Sequence, residues 1–122
     1  MRFTSDQLNA RVLQVITDAR PTIDNRITKE TIAVRVFGYY NEGVDRKVRD
    51  AVTELTIAGH PICATSDKSG YFIARDYQEA EQTIAELRSR ADVYDQKIDG
   101  IKRGLVNAKQ PIREAVQMGL QI

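Results

Sequence analysis

The run 44–75 constrains this 122-residue chain most: an amphipathic helical pattern, a glycine stop and two short β-patterns follow one another with almost no spare residues. Val48, Ala51, Val52 and Leu55 fall at the spacing that lines one face of an α-helix. Arg46, Lys47, Arg49, Asp50 and Thr53 are left on the outside. Gly59 offers the left-handed residue that ends a helix and Pro61 forbids continuation, so a helix is expected over 45–58. Residues 62–66 and 71–75 are short runs with β-branched and aromatic content. They are separated by Asp67-Lys68-Ser69-Gly70, a composition suited to a tight hairpin loop at 67–70.

Upstream, Leu8, Val12, Val15, Ile16 and Ala19 repeat at helical spacing within 5–19, with Thr4 or Ser5 to cap the start and Pro21 to stop the helix. Residues 26–28 read as a short extended segment. Thr28 caps a second helix whose buried face is Ile32, Ala33, Val36 and Phe37, and Gly38 ends it. The connection over 38–43 is slightly longer than the tightest helix-turn-helix link.

This order, with Asp45-Arg46-Lys47-Val48-Arg49, Glu54-Leu55, Gly59-His60-Pro61-Ile62-Cys63 and Gly70-Tyr71-Phe72-Ile73-Ala74, resembles the winged-helix module of small phage and prophage DNA-binding or replication-associated proteins. The wing is also similar to that of the DNA-binding domain of biotin-ligase repressors. The resemblance covers residues 5–75. It implies a recognition-helix role for Arg46, Lys47, Arg49, Asp50 and Thr53, and a backbone-contacting role for Lys68 and Ser69 at the wing tip. An arginine in the first turns of such a helix can donate bidentately to a guanine edge, whereas a wing lysine meets phosphate and carries no sequence information. Asp45, Asp50, Glu54 and Asp67 lie near the same surface and set this chain apart from strongly basic members of that class.

Composition points away from chemistry. The single cysteine, Cys63, excludes an internal disulfide and is expected to act as a small buried filler. His60, the single histidine, reads as a turn residue near a helix end. No Ser/His/Asp set, phosphate-cradling glycine loop or metal-ligand cluster is present, so no catalytic residue, metal or cofactor is expected. No apolar run approaches the ~18–20 residues needed to cross a bilayer, and the first residues lack the core of a signal peptide, which makes the expected location the cytoplasm, that of the host if the chain is phage-encoded. Net charge is +1; residues 1–75 carry 11 Lys/Arg against 9 Asp/Glu, a slight basic tilt toward the expected reading head.

Asp76-Tyr77-Gln78-Glu79 fits a capping box that starts a further helix. From there Tyr77, Ala80, Ile84, Leu87, Ala91, Tyr94, Ile98, Ile101, Leu105 and Ala108 alternate by three and four without a miss. A stripe sustained over four heptads is a seam for another helix, and one domain of this size holds no second helix long enough to cover it. A homodimer through Ala80, Ile84, Leu87, Ala91, Tyr94, Ile98, Ile101 and Leu105 is therefore expected, with a higher oligomer left open. Gly100 and Gly104 each cost about 1 kcal/mol in a helix and suggest a bend or a close helix approach. Gln110-Pro111 opens a short amphipathic piece with Ile112, Ala115, Val116 and Leu120 on one side.

The sequence thus predicts a mostly α chain with a small β-hairpin: a winged helix-turn-helix over 1–75, a coiled-coil helix over 76–109 and a tail over 110–122. The function expected of it is non-enzymatic binding of double-stranded DNA, in transcription control or in replication and genome handling. The alternative is a protein-interaction adaptor or host-directed inhibitor whose head docks on another phage or host protein. No membrane partner is expected.

Overall fold

A computed structural model describes residues 2–108; the amphipathic piece expected over 110–122 lies outside the described residues. Among the described residues, four helices and one hairpin follow in the order α1 (Ser5–Ala19), α2 (Lys29–Phe37), α3 (Glu42–Ile57), β1 (Ile62–Thr65), β2 (Lys68–Ile73) and α4 (Tyr77–Ala108). The fold is mostly helical with a small antiparallel sheet, as the periodicities require.

Side chains cap the starts of α1, α2 and α3, while α1 ends at Arg20, which takes up the left-handed conformation at φ 48°. Thr4 accepts from the Gln7 amide at 3.1 Å while the Gln7 carboxamide takes the Thr4 amide at 3.0 Å, a reciprocal box that settles which hydroxyl caps α1. Thr28 caps α2 and Gly38, at φ 86°, ends it. Helix α3 starts three residues earlier than expected, because the Asn41 side chain accepts from the Val44 amide at 2.8 Å and satisfies an orphan donor there. At the other end the His60 amide reaches the Leu55 carbonyl and the Gly59 amide that of Thr56, around Gly59 at φ 110°. This pair of bonds closes the last turn and requires the left-handed residue the sequence offered.

Packing follows the expected faces. Val12 and Ile16 of α1, Ile32 and Ala33 of α2, and Val48 and Ala51 of α3 share one core, with Ile27 and Ile62 closing it from the hairpin side. Phe3 meets Phe37 edge-on at 5.6 Å at its margin. A second, smaller cluster of Cys63, Phe72 and Ala74 is flanked by Ile23 and Ala80, and burial pushes the Cys63 thiol pKa up.

The hairpin turns earlier than expected. Its tip is Ser66-Asp67, and Lys68 and Ser69 belong to β2 rather than to the loop. Gly70 serves another purpose: the ladder runs Ile62 to Ile73 and Cys63 to Phe72, then shifts so that Thr65 pairs with Lys68. Gly70 sits in the shifted stretch at φ 99°, where a Cβ would stand 2.9 Å from Arg26 Cβ and 3.1 Å from the Ile27 carbonyl. That close approach lets Ile27 bridge β2 on its other side through two backbone bonds with Tyr71, at 2.9 and 2.7 Å. The extended segment expected over 26–28 is thereby used as a sheet partner.

The chain divides into two compact units, the first ending at Ile84 and the second beginning at Ala85. Within the first, Asp76 accepts from the Glu79 amide as expected, but Glu79 takes the Arg75 amide at 2.9 Å and the Arg75 guanidinium at 2.7 and 3.1 Å instead of the Asp76 amide. A charge-assisted fork outcompetes a single neutral donor. In the second unit α4 continues as one α-helix through Gly100 and Gly104. Leu87, Ala91, Tyr94, Ile98, Ile101 and Leu105 are all exposed on it. Among the described residues no helix is long and apolar enough to cross a membrane.

Candidate nucleic-acid interface

The outer side of α3 follows from its inner one. With Val48, Ala51, Val52 and Leu55 inward, the 3.6-residue period carries Arg46, Asp50, Thr53 and Ile57 to the opposite face, and all four are exposed. Ile57 is 81% exposed, the most open large apolar side chain of the described residues. The Thr53 hydroxyl donates to the Arg49 carbonyl at 3.0 Å, which leaves its lone pairs as acceptors toward solvent.

The remaining sequence-predicted residues fall on two flanks. Arg49, Lys68 and Ser69 line one cleft together with Lys29, Gly70 and Tyr71, so residues 49 and 68–69 come together across the gap between α3 and the hairpin. Lys47 lines a different groove, shared with Arg2, Phe3, Leu8 and, from the edge of the outward face, Asp50. There the Lys47 ammonium stands 5.8 Å from the centre of the Phe37 ring. The three cations of the helix start are therefore spread around α3 rather than gathered into one edge.

A buried carboxylate organises the hairpin-side flank. Asp45, expected on the solvent side, is buried, because the Lys29 ammonium at 2.9 Å, the Tyr40 hydroxyl at 2.7 Å and Arg49 Nε at 2.8 Å converge on its two oxygens. The Lys29 bond, then that of Tyr40, holds its pKa down from the ordinary 3.8 to about 2. The same bonds push Lys29 and Tyr40 up. One acidic residue that sequence placed beside the reading surface is thus already neutralised, at the cost of engaging one nitrogen of Arg49.

Two other carboxylates are also held. Glu54 accepts from Asn9 Nδ2 at 2.6 Å. Asp67 is pulled down by its bond with the Thr65 hydroxyl and also accepts from Gln82.

Sequence reasoning missed Lys29 and Arg26. Lys29 follows the Thr28 cap, a position that gives no hint of a partner sixteen residues on. Arg26 lies 4.8 Å over the Phe72 ring and donates to the Ile23 and Lys68 carbonyls and the Thr65 hydroxyl, which clamps the hairpin. Lys68 bends its ammonium toward the Asp24 carbonyl at 3.4 Å. Of the residues expected along α4, Ala80 packs against the hairpin cluster, Ile84 is half-buried, and the others from Leu87 on are exposed. No family model, curated protein or solved structure matches this chain.

Proposed function

We propose that residues 1–75 form a winged helix-turn-helix that binds double-stranded DNA, with α3 entering the major groove and β1-β2 as the wing, and that the chain is a non-enzymatic regulator or genome-handling protein, of the phage type it resembles, dimeric through α4. The observation that carries this reading is the outward α3 face that begins at Arg46, flanked by a cleft lined by Arg49, Lys68, Ser69 and Lys29 beside Glu30. Arg46 and Thr53 are the base-edge contacts; Lys29, Lys68 and Ser69 meet phosphate. Asp45 supports the reading because its charge is already balanced within the protein.

Fluorescence anisotropy with a random duplex tests it. Binding should weaken steeply as salt rises, by about one counterion per phosphate contact in the log-log slope. Arg46→Ala with Arg49→Ala should abolish it while α4 association persists; wild-type affinity in that double variant removes α3 as the reading element.

The exposed Ile57 on the same face favours a second reading, in which the head docks on a protein. Absence of duplex binding below roughly 100 μM at low salt, the weak limit of ordinary non-specific binding at physiological salt, decides for the adaptor.

A further inference from the structure

The apolar stripe of α4 carries enough charge on its flanks to fix how a second copy lies against it. We propose that two copies of this chain pair through α4 as an antiparallel coiled coil centred between Ala91 and Tyr94, with Arg88 of each copy against Asp95 of the partner subunit. This rests on the reading that the chain is dimeric through α4, and adds its direction and register.

Side-chain size favours opposed directions. Ala91 and Tyr94 are both exposed on the stripe. In a parallel pair like meets like, so two alanines leave a void beside two crowded tyrosines. In the antiparallel register Ala91 faces the partner's Tyr94, Leu87 faces the partner's Ile98 and Ile84 faces the partner's Ile101. Each layer then holds a comparable volume, as close packing demands.

Charge selects the register. In the proposed one, Arg88 meets the partner's Asp95 and Glu81 meets the partner's Lys102, each twice; only Arg90 against the partner's Lys97 is unfavourable. The Lys97 ammonium already lies 5.8 Å from the ring centre of its own Tyr94. Slipping one heptad in one direction sets Arg88 on the partner's Arg88 and Arg90 on the partner's Arg90. The opposite slip sets Asp95 on the partner's Asp95 and Lys97 on the partner's Lys97. Both slips are repulsive throughout, which is how flanking charges exclude wrong pairings. A parallel pair gains Arg90 with the partner's Asp95 but sets Lys97 on the partner's Lys102. The antiparallel pair places the two copies of Tyr77 at opposite ends, about 46 Å apart along the axis at ~1.5 Å per residue.

Sedimentation equilibrium on the full chain tests this, with helix content checked by circular dichroism. Wild type should be a dimer. Arg88→Glu alone and Asp95→Arg alone should each weaken association about tenfold, the scale of exposed pairs lost and reversed twice per dimer. The double variant, Arg88→Glu with Asp95→Arg, should restore it. In a parallel pair Arg88 has no charged counterpart, so Arg88→Glu would be silent and the double variant would stay as weak as Asp95→Arg; that result overturns the antiparallel assignment and leaves a dimer standing. A monomeric wild type at about 100 μM overturns the dimer itself, and a larger assembly overturns the two-stranded pairing.

Discussion

Asp45 and Gly70 show how single residues set the geometry of the hairpin-side flank of α3. The carboxyl of Asp45 is depressed from 3.8 to about 2 by Lys29, Tyr40 and Arg49. A depressed folded value means its stabilisation is fully present above 3.8 and is lost as pH falls through about 2. Asp45→Asn should therefore flatten the acid limb of a stability-versus-pH curve in that window, read by urea unfolding at several pH values. Gly70 separates conformation from contact. Gly70→Ala meets both a positive φ and the 2.9 Å approach to Arg26 and should cost about 2 kcal/mol or more. Gly38→Ala meets a positive φ with open space around it and should cost about 1 kcal/mol, and equal losses in thermal melts would remove the proposed close packing of β2 on Arg26. Neither role was legible in the sequence. Gly70 reads as a loop glycine until Ile27 is known to pass beside it, and Asp45 reads as solvated until Lys29 and Tyr40 converge on it.

At the scale of elements, helices were legible because their signals are local. Thr4, Thr28, Gly38 and Gly59 mark ends through bonds within four or five residues, and the apolar faces of α1, α2 and α3 follow from spacing alone. The start of α3 escapes the pattern because Asn41 lies ahead of it and caps a first turn that carries no apolar stripe of its own until Val44. Asn41→Ala should cost about 1 kcal/mol and fray that turn, visible as faster amide exchange at Val44 with little change at Leu55. The hairpin tip meets the same kind of limit. Composition locates a turn to within a few residues, whereas the register is set by long-range bonds from Ile27 and Arg26. The candidate site was legible in part: Arg49, Lys68 and Ser69 do share a cleft, but Lys47 lies on the other flank, since a one-residue step along a helix turns a side chain by about 100°.

For the whole molecule, the large apolar side chains left open among the described residues gather on the stripe beyond Ile84, with Ile101 and Leu105 each more than 60% exposed. Leu87→Asp with Ile98→Asp should yield monomers by light scattering while the melting of residues 1–84 is preserved, because neither side chain belongs to the two buried clusters. The first turns of α4 answer a different hazard. Thr83 is buried and its hydroxyl donates to the Ala64 carbonyl at 3.1 Å, in the shifted stretch of the hairpin ladder. A peptide oxygen left open on a short strand invites another backbone to dock. The hydroxyl works as a latch on that opening: the Ala64 oxygen already holds a donor from its own chain, which a stranger's peptide would have to displace.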